Sequence, residues 1–154
     1  MNMKQMYKSL FLAVLLCLFA ACGDDEKVNP SLTLGNESRP LWTTRGGLYS
    51  EMDLTMAVQL TLQNELLPYA SDGDIMCAII DGEVRAVREL QRTGGEIYFD
   101  LIMAGNSGSG RVTLKYYCDK LRRTFTLEGW MPFSPDIKPT NDGKPYVVEF
   151  ISTK

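Results

Sequence analysis

Glu96-Ile97-Tyr98-Phe99-Asp100-Leu101-Ile102-Met103-Ala104 and, beyond a glycine- and serine-bearing connection, Arg111-Val112-Thr113-Leu114-Lys115-Tyr116-Tyr117-Cys118 decide the fold. Both segments alternate strictly. Ile97, Phe99, Leu101 and Met103 share one face of the first, and Val112, Leu114, Tyr116 and Cys118 share one face of the second. Successive side chains of extended backbone point to opposite sides, so a period of two marks a half-buried strand. If Ala104 opposes Arg111 across a hairpin, the outer face sets Ile102 beside Thr113, Asp100 beside Lys115 and Tyr98 beside Tyr117. Opposite charges and aromatic rings then meet, as antiparallel neighbours favour. That register is the expectation.

The same period continues on both sides. From Asp53 to Leu62 the residues Leu54, Met56, Val58, Leu60 and Leu62 point one way and Thr55, Ala57, Gln59 and Thr61 the other. Ser50-x-x-Asp53 is a possible helix cap, but valine and threonine within strict alternation favour a strand. Gln63 to Gly73 reads as a loop, broken by Pro68 and Asp72-Gly73. Ile75 to Ile80 is apolar on both faces, which predicts a strand covered on both sides. Asp81-Gly82 suits the left-handed pair of a two-residue hairpin. It sets Ile80 opposite Glu83, Ile79 opposite Val84 and Cys77 opposite Ala86.

The chain returns over Glu83 to Leu90 and turns at Gly94-Gly95. After Cys118 the pattern predicts a turn at Asp119-Lys120 and a short strand around Phe125 and Leu127. An irregular stretch follows from Gly129 to Gly143, carrying Trp130. A closing strand over Pro145 to Ile151 has Tyr146, Val148 and Phe150 on one side. About seven short, turn-punctuated strands point to an all-β, two-sheet sandwich with an immunoglobulin-like look, with a small barrel as the alternative.

The beginning of the chain carries an address. Met1 to Ser9 holds Lys4 and Lys8 and no acid, and Leu10 to Ala21 is unbrokenly apolar. As a helix that run reaches about 18 Å, short of a bilayer core of about 30 Å. A basic start, a short apolar run and small residues at its end make a secretory signal. Leu18-Phe19-Ala20-Ala21-Cys22 resembles the lipobox of bacterial lipoproteins. The resemblance implies that residues 1–21 are a signal peptide and that Cys22 is lipidated and becomes the mature N-terminus. Asp24-Asp25-Glu26 resembles the export signal of Bacteroidetes lipoproteins, which implies an outer-membrane protein, lipid-anchored and facing the cell exterior. Residues 22–48, with Asn29-Pro30, Arg39-Pro40 and Gly46-Gly47, read as a tether in which Trp42 marks where packing begins. Residues 49–154 are then the sandwich domain.

Composition narrows the chemistry. The chain has no histidine, which removes Ser-His-Asp and Cys-His catalysis and histidine as a metal ligand. Its net charge of -3 argues against a nucleic-acid partner. With Cys17 inside the signal and Cys22 at its end, Cys77 and Cys118 remain, either as a disulfide or as two buried thiols. Asp72-Gly73-Asp74 with Asp81 offers oxygen ligands for calcium, although acidic glycine turns are ordinarily only turns. Neither a metal site nor a cofactor is expected. Arg85 shares a face with Met76, Ala78 and Ile80, where Glu83 is its natural partner.

The stretch Ile75 to Val87, IMCAIIDGEVRAV, resembles a β-sandwich module of secreted Bacteroidetes proteins. Ala78, Glu83, Arg85 and Val87 match that module, whereas Ile79, Val84 and Ala86 stand where it has Phe, Cys and Gly. The resemblance implies the fold and brings no catalytic residues. The side-by-side Tyr98 and Tyr117 form a candidate aromatic platform for sugar rings, with Asp100 and Lys115 as hydroxyl partners and Trp130 as its extension. The plainer reading is a stabilising cross-strand pair. The sequence therefore predicts a cell-surface lipoprotein that is not an enzyme. Its membrane contact is the lipid on Cys22, and it serves as a binding module with a glycan as candidate ligand. The alternative is a structural accessory of an envelope assembly, working through protein contacts.

Overall fold

The computed structural model describes residues 32–152. The chain divides after Leu32, and the unit from Thr33 onward holds both sheets. A single helical turn, α1 (Leu48–Glu51), precedes the strands. These are β1 (Leu54–Leu62), β2 (Ile75–Ile80), β3 (Glu83–Glu89), β4 (Gln91–Thr93), β5 (Glu96–Gly105), β6 (Arg111–Cys118), β7 (Arg123–Pro132) and β8 (Tyr146–Val148). They form two four-stranded sheets, sheet one in the order β4-β5-β1-β8 and sheet two in the order β3-β2-β6-β7. The protein is an all-β sandwich, and the sheets do not close into a barrel. Reading β1 to β7 as B, C, C′, D, E, F and G reproduces the immunoglobulin division of D-E-B against C′-C-F-G. The last strand, β8, lies parallel to β1 on the edge where an immunoglobulin domain has its first strand.

The alternation pattern places the faces of β1, β5 and β6 as expected. Met56, Val58, Leu60 and Leu62 of β1, Phe99, Leu101 and Met103 of β5, and Val112, Leu114, Tyr116 and Cys118 of β6 are all buried. Tyr116 centres the core, with Phe99 edge-on at 5.9 Å, Phe125 stacked at 6.0 Å and Phe150 at 5.7 Å between ring centroids. Its hydroxyl donates at 2.6 Å to Asp74, which is wholly buried. The Asp74 carboxylate also accepts from Ser71 N, Ser71 Oγ and Asp119 N, so every buried donor around it is satisfied. Burial first, and then the neighbouring carboxylate, push the Tyr116 phenol far above its ordinary pKa.

The expected register between β5 and β6 is overturned. Ala104 faces Thr55 rather than Arg111, Ile102 faces Ala57 rather than Thr113, and Asp100 faces Gln59 rather than Lys115. Tyr98 faces Gln91, and Tyr117 faces Ile75 and Thr124. The chain after Gly105 does not fold back as a hairpin. It crosses from one sheet to the other, with the turn held by Asn106 and Ser109 and by Gly110 N donating to Asp81. Alternation fixes which face is inward and is silent on which strand is the neighbour.

The Asp81-Gly82 hairpin forms with both residues at positive φ, 51° and 78°. Ile80 opposes Glu83 and Ile79 opposes Val84, as expected. A bulge then shifts the ladder, so Cys77 meets Val87 rather than Ala86, and Arg85 is the extra residue. Arg85 turns into the sandwich, where its Nη1 donates to Ala104 O and its Nη2 lies 3.3 Å from Glu83, the expected partner. A separate short strand, β4, follows β3 after Leu90 alone, so the chain changes sheets at one residue. Strand β7 extends through Trp130 to Pro132, beyond its expected end, and β8 keeps only three residues of the expected closing strand.

The expected tether is docked along sheet two from Gly35 onward, ahead of Trp42. Gly35 N donates to Leu121 O, Glu37 N donates to Arg122 O, and the Glu37 carboxylate accepts from Thr124 N. Arg39 then pairs with Glu89, and Arg45 bridges Glu83 and Glu51. Residues 35–45 form a strap over the outer face of sheet two. This explains why β2 is apolar on both sides: sheet one covers one side and the strap crosses the other.

Candidate functional site

The two sheets present different outer faces. On sheet two, Tyr117 is 2% exposed and its hydroxyl donates to Glu37 O of the strap. Burial raises its pKa. Lys115, which shares that sheet, is half-buried, with Cys77 and Thr126 as register partners. Tyr117 and Lys115 therefore do not join Tyr98 and Asp100 in one platform. The four residues lie on two sheets, and Tyr117 is closed to ligand.

Sheet one leaves its outer face open. Tyr98 is half-buried there, with its hydroxyl 3.0 Å from Thr93 Oγ1. Next along β5 comes Asp100, which accepts at 3.0 Å from the Gln59 side chain across the ladder. Beyond it Ile102 is exposed, and Tyr49 bends over that end to donate to Ile102 O. Side by side, then, this face carries an aromatic ring and a paired carboxylate and amide, the hydrogen-bonding kinds a sugar hydroxyl needs.

A groove of about 480 Å³ opens beside this face. Thr61 from β1, Arg92 from β4, Glu96 from β5, and Lys144, Pro145 and Val147 at and before β8 line it. The volume falls in the range of small-molecule sites. Arg92 donates to Asp72 at 3.0 Å and to Ala70 O, so its charge is matched by a neighbouring carboxylate. Thr61 donates to Ile97 O, which leaves its oxygen free to accept. None of these groove residues was singled out in the sequence. They come from separate stretches of the chain, around residues 61–67, 92–97 and 144–147, which the fold brings together.

The other candidates separate. Trp130 lies within β7 rather than on a loop, and it packs edge-on against Tyr146 at 6.2 Å, so it does not extend the Tyr98 surface. Cys77 and Cys118 are both free and buried, which rules out the disulfide in this structure. Burial pushes the Cys77 thiol up to about 12 and raises Cys118 as well, so both behave as small apolar side chains. The calcium cluster disperses. Asp72 pairs with Arg92, Asp74 is enclosed, and Asp81 sits at the opposite end of β2, bonded to Gly110 N. Among the described residues no group of three acidic or thiol side chains is placed to hold an ion. Cys22, Asp24, Asp25 and Glu26 lie outside the described residues. Among the described residues, no helix is long and apolar enough to cross a membrane. Comparison with protein families, with curated proteins and with solved structures finds no match.

Proposed function

We propose that this chain is a non-catalytic binding module of the cell surface, held to the outer membrane by a lipid on Cys22, and that its ligand is a glycan. The observation that carries the reading is the open outer face of sheet one. Tyr98 offers a ring for the C–H face of a sugar, Asp100 and Gln59 offer polar edges beside it, and the groove continues the surface. The absence of histidine favours binding over catalysis. The strap crosses sheet two, where a smaller cavity of about 280 Å³ opens between Trp42 of the strap and Ile75 and Val87 of the sheet.

The test is affinity electrophoresis of the full chain, in detergent, through gels cast with a panel of neutral and acidic polysaccharides. Retardation by at least one polymer, lost in Tyr98→Ala while the fold is kept, is the expected result. Unretarded migration through every gel overturns the glycan reading.

A second reading has its own observation. Tyr49, Ile102, Val147 and Leu67 are exposed by 53%, 43%, 58% and 38%, and the first three lie on or beside the open face of sheet one. Apolar exposure of this kind suits a protein contact. A structural accessory of an envelope assembly is the alternative, and chemical cross-linking in the cell envelope, reduced by Ile102→Asp, is its test.

A further inference from the structure

We propose that the strap side of sheet two is a surface for a second copy of this chain. Leu41 of each copy enters the cavity beside Trp42 of the other. The cavity, of about 280 Å³, is bordered by Pro40, Leu41 and Trp42 of the strap and by Ile75 and Val87 of the sheet. Ile75 is buried, and Trp42 and Val87 are half-buried. Leu41 does the opposite of its neighbour Trp42. It is 95% exposed, the most of any large apolar side chain among the described residues.

A projecting leucine and an apolar hollow therefore lie side by side on one patch. A two-fold interface needs that composition, because the same patch must face itself. An axis passing between the two carries each leucine onto the hollow of the other copy. A small apolar ligand would fill the hollow and leave Leu41 in water, whereas a second copy meets both features in one contact. The space is sufficient, since an apolar cavity of roughly 150 Å³ already holds a benzene ring and an isobutyl group is smaller. The charges at the cavity, Arg39 and Glu89, are paired with each other at 2.7 Å. The patch is thus neutral although the chain carries -3, so two copies meet there without like-charge repulsion. The ion pair stays at the edge, as polar groups do around an interface core. A contact of this extent belongs to the weak class, so the dimer is reversible.

The experiment is sedimentation equilibrium of the full chain over a range of protein concentrations. Detergent is kept in large excess, so that chains share a micelle only if they associate. The chain is compared with Leu41→Ser, with Leu41→Met, which keeps an apolar side chain, and with Ile102→Asp, which alters the exposed apolar face of sheet one. Leu41 is so exposed that its replacement leaves the fold intact. A concentration-dependent dimer is expected, about tenfold weaker or more in Leu41→Ser, retained in Leu41→Met and unchanged in Ile102→Asp. A chain that stays monomeric up to about 1 mM overturns the inference. So does a dimer that Leu41→Ser leaves as strong as before. Dissociation by Ile102→Asp alone also overturns it and places the contact on sheet one.

Discussion

Asp74 shows how much one residue carries here. Its carboxylate is the single acceptor for Tyr116 Oη, for the Ser71 amide and hydroxyl, and for Asp119 N, at 2.6 to 3.1 Å. These donors belong to two separate pieces of chain: the loop before β2, and β6 with the turn that follows it. Removing the acceptor leaves one buried donor, Tyr116 Oη, and three part-buried ones unmet, and a buried unmet group costs on the order of 1 kcal/mol or more. Asp74→Ala is therefore expected to lower unfolding stability by about 3 kcal/mol. Urea titration measures it, and a loss below about 1 kcal/mol would show that water satisfies those donors instead. At the level of sequence Asp74 looked like one oxygen of a calcium turn. An Asp-Gly-Asp string reads alike whether its carboxylates face solvent or are enclosed, and only the approach of Tyr116 and Asp119 decides between the two.

Among the elements, the strap is the one whose role the sequence concealed. Its proline, glycine and polar residues have no period, because it follows no ladder and lies across strands. Its docking depends on close approach at Gly35. A Cβ there would stand 2.5 Å from Arg123 Cγ and 2.6 Å from Arg122 O, and the backbone carbonyl has nowhere to move. Beyond the hydrogen bonds at Glu37, the remaining ties are exposed ion pairs such as Arg39–Glu89, which contribute little singly. Gly35→Ala is expected to lift the start of the strap and cost about 1–2 kcal/mol. Hydrogen exchange is expected to quicken at the Gly35 and Glu37 amides while β1 and β5 keep their protection. Unchanged exchange at those two amides would mean that β7 yields instead. The strands behaved differently. Alternation was legible over β1, β5 and β6 and chose the right inward face each time. The Asp81-Gly82 turn was legible because left-handed backbone restricts residue choice. The bulge at Arg85 was not legible, since its partner strand β2 is apolar on both faces and accepts either register of β3.

For the whole molecule, the anchor and the sandwich answer different questions. The lipobox resemblance concerns where the protein resides, and Cys22→Ala is the test. Loss of the protein from the membrane fraction is expected, and a processed variant still found in the membrane pellet would rule out lipid anchoring at that residue. Where a ligand is bound depends on the arrangement of the sheets. The strap crosses one sheet, the other stays open, and the groove gathers Thr61, Arg92, Glu96 and Lys144 from β1, β4, β5 and the approach to β8. The chain between Gly105 and Gly110 is what separates the two tyrosines of the expected platform, because it changes sheets where a hairpin would have kept one.

The sequence by itself determined the all-β class, the inward face of the main strands, the Asp81-Gly82 hairpin and the exclusion of histidine chemistry. Each is a local property, set by the two-residue period of extended backbone, by the φ a turn demands, or by which side chains exist at all. Strand partners, the covering of Tyr117, the free state of Cys77 and Cys118 and the composition of the groove were decided only by the tertiary structure. The reason is physical. A strand presents the same inward row and the same backbone donors to any neighbour, so choosing between a hairpin and a crossing takes the packing of both sheets together. That choice also determines which face is left open to solvent.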